Sequence, residues 1–348
     1  MIAAKIFSGE KFELESGSHL PELEIAYHTW GDFDPEKNNV IWVCHALTAN
    51  SNVAEWWPGL FGEDAYFNPR DHFIVCANII GSCYGTTGPL SVNPASGLPY
   101  YGGFPAITVR DMVKAHRLLA KHLGIERIHT VLGGSLGGQQ AMEWAIAEPQ
   151  QIQHAVLIAT NAVHSPWGIA FNESQRMALM ADETFGLPSA DAGAKGLKTA
   201  RSIAMLSYRN YKTYELTQTD KDREVLDDYR ASSYQQYQGQ KLVNRFNAYS
   251  YWTLSKTMDA HNVGRGREGL EQALGRISAR TLVIGISSDV LFPVMEQQFL
   301  ARCIPGASYV EIDSVYGHDG FLIETGLLAG HIGEFLNKPA KKFEFQGS

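Results

Sequence analysis

One serine in this sequence has the surroundings of a catalytic nucleophile. Residues 131–138 spell VLGGSLGG, so Ser135 occupies the centre of a G-x-S-x-G pattern. A short apolar run precedes the pattern and a helical pattern follows it, which is the context in which such a serine projects from a sharp turn. Gly133 and Gly137 leave room for that turn. The pattern predicts acyl transfer through a covalent intermediate on Ser135.

A serine hydroxyl becomes a good nucleophile only when a base accepts its proton and a carboxylate orients that base. Two later residues satisfy the chain order serine, acid, histidine. They are Asp289 in GISSDVLFP and His318 in YGHDGF. Each follows an apolar run, so each is expected at the carboxyl end of a strand, where open parallel sheets bind ligands. We predict a catalytic triad of Ser135, Asp289 and His318.

Three other histidines, His45, His164 and His261, are less suitable as the base because of their positions in the chain. His45 ends an early apolar run in CHALT, where an oxyanion loop is expected, and the other two belong to a central region or its edge. The oxyanion of the tetrahedral intermediate would be bound by two backbone N–H groups. We expect these to be the N–H groups of Leu47 and Leu136.

The elements that must position these residues alternate between strand and helix. Apolar runs predict buried strands at 40–45, 72–80, 128–132, 155–159, 281–286 and 308–312. Helical patterns occupy 108–123, with Thr108 and Asp111 as a capping signal, and 137–148, before Pro149. This alternation predicts a mostly parallel sheet flanked by helices, and the nucleophile turn makes it the α/β-hydrolase fold.

The alternation stops between residues 165 and 275, where Tyr, Gln, Met and charged residues recur at helical spacing. We predict a helical lid insertion at 165–275 within a discontinuous core formed by 1–164 and 276–348. An insertion at this place commonly covers the catalytic face of the sheet.

Composition excludes several classes of protein. Of 348 residues, 45% are hydrophobic and 19% charged, which is typical of a packed enzyme. The net charge of -8, without clustered Lys and Arg, argues against nucleic-acid binding. The four cysteines are too irregularly spaced for a metal site or a disulfide scaffold. We therefore expect no bound metal. Because no apolar segment suits a signal peptide or a membrane span, we expect a cytoplasmic protein.

The chain resembles the homoserine O-acetyltransferase family nearly from end to end. The motifs that carry the resemblance are CHALTANSN (44–52), NIIGSCYGTTGPLSVNP (78–94), FPAITVRDMV (104–113), GGSLGGQQAMEWA (133–145), NESQRMAL (172–179), YRNY (208–211), YQGQKLVNRF (237–246), MDAHNVGRGR (258–267), SSDVLFP (287–293) and YGHDGFL (316–322). Gln139 departs from the family pattern, in which methionine is common at this position. Asn247 stands where aspartate is frequent.

The resemblance implies a ping-pong reaction in methionine biosynthesis. Ser135 would take an acetyl group from acetyl-CoA, and the hydroxyl of L-homoserine would accept it, without a permanently bound cofactor. The resemblance also implies that Arg209 pairs with the acceptor carboxylate, that Asp319 binds its ammonium group, and that two chains associate through their lid helices as a homodimer. Four alternatives to this function remain. The donor could be succinyl-CoA, the acceptor could be serine, the enzyme could be an esterase that hydrolyses its substrate, or the protein could be an inactive relative that only binds a ligand.

The segment GRGREG at 264–269 fits the G-x-G-x-x-G dinucleotide pattern. It follows MDAHNV and not an apolar strand, so the context of a dinucleotide site is missing. We predict a loop that returns from the lid to the core. An alternative role for Arg265 and Arg267 is to bind the phosphates of coenzyme A.

Overall fold

Twelve strands form within residues 2–337, the part of the chain that the computed structural model describes. They are β1 (Ile2–Ser8), β2 (Phe12–Glu13), β3 (His19–Leu20), β4 (Leu23–Trp30), β5 (Val40–Cys44), β6 (Phe73–Ala77), β7 (Val92–Asn93), β8 (Leu98–Pro99), β9 (Ile128–Gly134), β10 (Ile152–Ile158), β11 (Arg280–Ile286) and β12 (Ser308–Ile312). Eight of them form one sheet in the order β1-β4-β6-β5-β9-β10-β11-β12. In this order, every two neighbouring strands from β6 to β12 are parallel to each other. The predicted mostly parallel sheet is therefore confirmed.

All six predicted strands are present, with their ends shifted by a few residues. β1 and β4 are additional, and they add an antiparallel edge to the sheet because β4 runs opposite to both of its neighbours. Their sequences, IAAKIFS and LEIAYHTW, mix apolar with polar residues. Such edge strands lack the continuous apolar runs that mark the strands buried on both faces.

Twelve α-helices accompany the strands in this described part. They are α1 (Val53–Trp56), α2 (Val109–His122), α3 (Leu136–Ala147), α4 (Pro166–Met180), α5 (Ala194–Tyr208), α6 (Tyr211–Gln218), α7 (Arg230–Val243), α8 (Ala248–Asp259), α9 (Leu270–Leu274), α10 (Val294–Cys303), α11 (Gly320–Ile323) and α12 (Thr325–Asn337). Helix α2 begins with the predicted capping box, in which Thr108 and Asp111 bond each other's backbone N–H. Between residues 2 and 337, no helix has the length and apolarity required to cross a membrane.

Both faces of the sheet are buried, as the side chains of β5 show. Trp42 belongs to one apolar cluster, together with residues of α2, α3 and α10, whereas Ile41 and Val43 belong to a second cluster that includes residues of α12. Successive residues of a strand point to opposite faces of a sheet. The helices therefore cover the sheet on two sides, as predicted.

Residues 165–275 contain the six helices α4 to α9, which follow β10 and precede β11. Helix α5 packs against α4 and α7, and it also contacts the short 3₁₀ helix Gly317–Asp319 of the core. We propose that these helices form the insertion, with its boundaries at residues 165 and 275. Part of the proposed core, residues 338–348, lies outside the described residues.

The GRGREG segment forms the predicted loop, and its arginines bind carboxylates of the core. Arg267 pairs with Glu143 of α3, whose side chain is buried. Arg265 Nη2 lies 2.9 Å from Glu15 Oε2. Arg110 Nε also lies 3.5 Å from Glu143 Oε1. These ion pairs connect the end of the insertion to the core. They also engage Arg265 and Arg267, for which binding of the phosphates of coenzyme A was the alternative role.

We predict that Glu143→Ala lowers the free energy of unfolding by about 1.5–3 kcal/mol, because it removes the charged hydrogen-bond partner of the half-buried Arg267. Urea denaturation followed by circular dichroism measures the change. Glu148→Ala is the matched control, since Glu148 pairs with Arg117 at the surface and its loss should cost less than about 1 kcal/mol. Equal effects of the two substitutions would contradict the prediction.

Candidate active site

Ser135 occupies a sharp turn between β9 and α3. Its backbone has φ 57° and ψ -125°, a conformation that L-residues rarely adopt. Two neighbours hold it there: Ser135 N–H donates to Ile158 O at 3.0 Å, and Thr160 Oγ1 donates to Ser135 O at 2.9 Å. Strain of this kind persists only where the surrounding structure over-determines it, and it is concentrated at functional sites.

The glycines on either side of Ser135 permit this turn by letting backbones approach closely. A Cβ atom on Gly137 would lie 2.0 Å from Cys44 O, and one on Gly133 would lie 2.4 Å from the carbonyl of Gly137. No side chain fits at either distance. The G-x-S-x-G spacing is thus required by the contact between the start of α3 and the end of β5.

His318, which lines the same cavity as Ser135, is hydrogen-bonded to Asp289. His318 Nδ1 lies 2.6 Å from Asp289 Oδ2, and both side chains are buried. The other carboxylate oxygen of Asp289 accepts hydrogen bonds from the backbone N–H groups of Leu291 at 2.8 Å and Phe292 at 2.9 Å. The carboxylate is therefore fixed by its own loop and in turn fixes the ring of His318.

Aromatic rings restrict the imidazole of His318 further. Phe292 stacks on it with ring centroids 5.0 Å apart, and Phe321 meets it edge-on at 5.2 Å. Tyr208, at the end of α5 in the insertion, lies 5.9 Å away. Core and insertion together enclose the histidine, leaving it in contact with the cavity that Ser135 also lines.

The three alternative histidines are engaged elsewhere. His45 Nδ1 donates to Ala46 O at 2.9 Å, and its Nε2 accepts from Ile79 N–H at 3.1 Å, so both ring nitrogens are occupied. Burial lowers the pKa of His45 to about 4, that of His164 to about 4 and that of His261 to about 3. None of them lines the cavity with Ser135 among the described residues.

Of the two residues predicted to bind an oxyanion, one follows Ser135 in the chain and the other lines the same cavity as Ser135. Leu136 is the first residue of α3, so its N–H has no acceptor within the helix. Leu47 lines the same cavity in the loop after β5. Gln140 Nε2 braces this loop by donating to His45 O at 3.1 Å. The loop is thereby tied to the helix that begins at the nucleophile.

The cavity that contains Ser135 has a volume of about 270 Å³ and opens between the core and the insertion. His318, Asp319 and Leu47 line it from the core. Basic side chains line it from the insertion, namely Arg201, Lys241 and Arg245. A small substrate with at least one negative charge suits such a lining.

Asp319 and Arg209 form an ion pair at this cavity. Arg209 Nε lies 3.0 Å from Asp319 Oδ2, although its N–H lacks the alignment of a hydrogen bond. Burial raises the pKa of Asp319, while the positive charges of Arg209 and Arg201 oppose that shift. Among the described residues Asp319 lines the cavity, whereas Arg209 contacts Asp319 without lining it.

A polar network behind the nucleophile was not anticipated from the sequence. Gln139 Nε2 donates to Asn161 Oδ1 at 2.9 Å, and Asn161 Nδ2 donates to Glu296 Oε2 at 3.0 Å. Burial, together with the nearby charge of Asp289, raises the pKa of Glu296 to about 7. The sequence contained one signal of this network, because Gln139 is a polar residue at a position where methionine is common in the family.

Comparison with known proteins identifies the family. A model of the alpha/beta hydrolase fold matches residues 39–325. A curated relative, the homoserine O-acetyltransferase of Cyclobacterium marinum, is 52% identical over 315 residues, which cover 90% of this chain and 90% of the relative. This chain belongs to the homoserine O-acetyltransferase family. The suspected resemblance and the predicted fold are both confirmed.

Solved structures agree with membership of this family at the level of fold. Homoserine O-acetyltransferase from Bacillus anthracis matches with a TM-score of 0.89 and 24% identity, covering 97% of this chain and 98% of the other. Esterase E22 matches with a TM-score of 0.88 and 20% identity, covering 97% and 100%. Transferases and esterases therefore share this architecture, and the fold alone does not choose between them.

We predict that Glu296→Gln changes how stability depends on pH. Because the pKa of Glu296 is higher in the folded chain than in the unfolded one, ionising it destabilises the fold as pH rises from about 4.5 to about 7. The glutamine keeps an oxygen for Asn161 but does not ionise. The free energy of unfolding of the variant, relative to that of the wild type, should therefore be higher at about pH 8 than at about pH 5.

Urea denaturation at both pH values measures this gain. The exposed Glu271→Gln serves as the matched control and should show no such trend. A stability difference between Glu296→Gln and the wild type that is the same at both pH values would show that Glu296 ionises normally.

Proposed function

We propose that this chain transfers the acetyl group of acetyl-CoA to the side-chain hydroxyl of L-homoserine. The observation that carries the proposal is the 52% identity to a homoserine O-acetyltransferase over nine-tenths of both chains. The cavity is consistent with it, since the proposed nucleophile and base line it together with the half-buried carboxylate of Asp319 and several cations. A zwitterionic amino acid requires charges of both signs.

In the proposed first half-reaction, Ser135 Oγ attacks the thioester carbonyl of acetyl-CoA while His318 Nε2 takes the hydroxyl proton. Asp289 holds the Nδ1–H of His318 and stabilises the imidazolium that forms. Collapse of the tetrahedral intermediate breaks the C–S bond, and His318 returns its proton to the departing thiolate. The products are free coenzyme A and acetyl-Ser135.

The second half-reaction repeats these steps with an alcohol. The homoserine hydroxyl gives its proton to His318 and attacks the acetyl carbonyl, and Ser135 then leaves with the proton from His318. In both halves the N–H groups of Leu47 and Leu136 would bind the oxyanion. Asp319 would receive the ammonium group of homoserine, and Arg209, paired with Asp319, would attract its carboxylate.

The acceptor and donor are tested by measuring thiol release from acetyl-CoA with L-homoserine, with L-serine and with no acceptor. We expect release that depends on L-homoserine and produces O-acetylhomoserine by mass spectrometry. Release with L-serine instead would change the acceptor, and release only from succinyl-CoA would change the donor. Steady release without an acceptor would make the protein a hydrolase.

We predict that Ser135→Ala and His318→Ala each lower kcat by about 10⁶-fold, because removing one member of a triad disables the whole unit. Asp289→Asn should cost less, about 10⁴-fold. Circular dichroism must show that the variants fold. A loss below about tenfold for any of the three variants would remove that residue from the catalytic role.

We also propose that two chains associate through the helices of the insertion. Large apolar side chains are exposed there, including Tyr211 at 79% and Leu216 at 70% exposure, and apolar patches of this kind mark association surfaces. Tyr211→Glu combined with Leu216→Glu is expected to convert a dimer to a monomer in light scattering. Leu98→Glu, at an exposed residue of β8, is the control and should leave the mass unchanged.

A further inference from the structure

Thr160 and Asn161, just after β10, connect the nucleophile turn to the rest of the core. Both side chains are buried. Thr160 Oγ1 donates to Ser135 O at 2.9 Å, and a Cβ atom on Gly138 of α3 would lie 2.7 Å from Thr160 Cβ. The turn of Ser135 and the beginning of α3 therefore pack directly against this segment.

Helix α10 binds the same segment with two consecutive side chains. Gln297 Nε2 donates to Thr160 O at 2.7 Å, and Glu296 Oε2 accepts from Asn161 Nδ2 at 3.0 Å. Both side chains belong to the beginning of α10, which follows the loop that contains Asp289. The start of this helix thus links that loop to the nucleophile turn.

Asn161 depends on Glu296 for one of its hydrogen bonds. Asn161 Oδ1 accepts from Gln139 Nε2 at 2.9 Å, and Asn161 O accepts from His261 Nε2 at 3.0 Å, so α3 and the end of the insertion also bind this residue. Glu296 supplies the acceptor for the Nδ2 group of the same amide. Loss of that acceptor would leave a buried N–H unpaired, and Asn161 would have to move to satisfy it.

The charge of Asp289 acts on Glu296. Burial, together with this charge, raises the pKa of Glu296 to about 7, although the hydrogen bonds with Asn161 and Ser165 lower it. His261, which binds Asn161 O, is uncharged at neutral pH because burial lowers its pKa to about 3. Among the described residues that act on Glu296, Asp289 is the charged one.

Asp289 connects Glu296 to the proposed base, since Asp289 Oδ2 lies 2.6 Å from His318 Nδ1. An ionised Glu296 adds a second negative charge near this pair, which favours the protonated, inactive form of the histidine. Other titratable groups of the site are Asp319, Arg209, Arg201 and Tyr208. These groups are the same in variants of Glu296, so such variants isolate its effect.

We propose that Glu296 is a positioning residue for acyl transfer. Its side chain holds Asn161 beside the nucleophile turn, and its ionisation weakens the base His318. This role rests on the acyl-transfer mechanism of the proposed function. Glu296 is absent from the described residues that line the cavity, so it acts through its neighbours and not by touching a substrate.

Glu296→Leu and Glu296→Gln test the hydrogen bond to Asn161. Both variants remove the charge, but only the glutamine retains an oxygen that accepts from Asn161. At about pH 6, where Glu296 of the wild type is mostly protonated, Glu296→Gln should keep kcat within about twofold. Glu296→Leu should lower kcat about tenfold or more, because the nucleophile is displaced, while KM for both substrates changes less than about twofold.

The pH dependence of kcat/KM for acetyl-CoA tests the ionisation of Glu296. The wild-type value rises with pH as His318 loses its proton. Because a negative charge near Asp289 favours that proton, Glu296→Gln should shift the rise to lower pH by about 0.3 unit. Glu271→Gln, which removes an exposed carboxylate, is the matched control and should leave the profile unchanged.

The burst of nitrophenol from 4-nitrophenyl acetate measures acetylation of Ser135 without coenzyme A or an amino acid. The rate of this burst should show the same order, with Glu296→Gln close to the wild type and Glu296→Leu slower. A wild-type protein that releases no thiol with L-homoserine but gives the burst would refute the proposed acceptor, and the burst would still test Glu296.

Three results would overturn the role of Glu296. A folded Glu296→Leu with wild-type kcat would show that Asn161 does not need this acceptor. Equal losses in Glu296→Leu and Glu296→Gln would show that the oxygen is not the group that matters. A pH profile of Glu296→Gln identical to that of the wild type would show that Glu296 does not act on the base, and this profile decides alone where circular dichroism shows that Glu296→Leu is unfolded.

Discussion

The backbone turn at Ser135 is the constraint on which the rest of the site depends. A residue with positive φ at the end of β9 is held only because β10 bonds it from one side and α3 starts immediately after it. Helix α3 can start there only because Gly137 tolerates the carbonyl of Cys44. The position of the hydroxyl is therefore set by the register of three parallel strands, and distortion in any of them would displace it.

The division of labour between core and insertion follows from this geometry. Strand ends of the core supply Ser135, Asp289 and His318, which are the residues proposed to carry out the acyl transfer. The insertion supplies Tyr208 and the cations that line the cavity. The same fold occurs in an esterase with a TM-score of 0.88, so the fold by itself does not select the acceptor.

Much of the core could be predicted from the sequence because its signals are local. Apolar runs marked the parallel strands, and the order of Ser135, Asp289 and His318 placed the candidate triad at strand ends. The edge strands β1 and β4 escaped prediction because they lack continuous apolar runs. Whether Arg201 or Arg209 lines the cavity was beyond the sequence, since that depends on how α5 rests against the 3₁₀ helix at residues 317–319.

The proposed function requires a covalent intermediate at Ser135 that an amino-acid alcohol discharges. The most direct measurement is mass spectrometry of the intact protein and its peptides after mixing with acetyl-CoA alone, followed by a chase with L-homoserine. We expect one acetyl group on the peptide that contains Ser135, and its rapid loss as O-acetylhomoserine appears. Product formation without acetylation of Ser135, or an acetyl group that water removes as fast as homoserine does, would contradict the account.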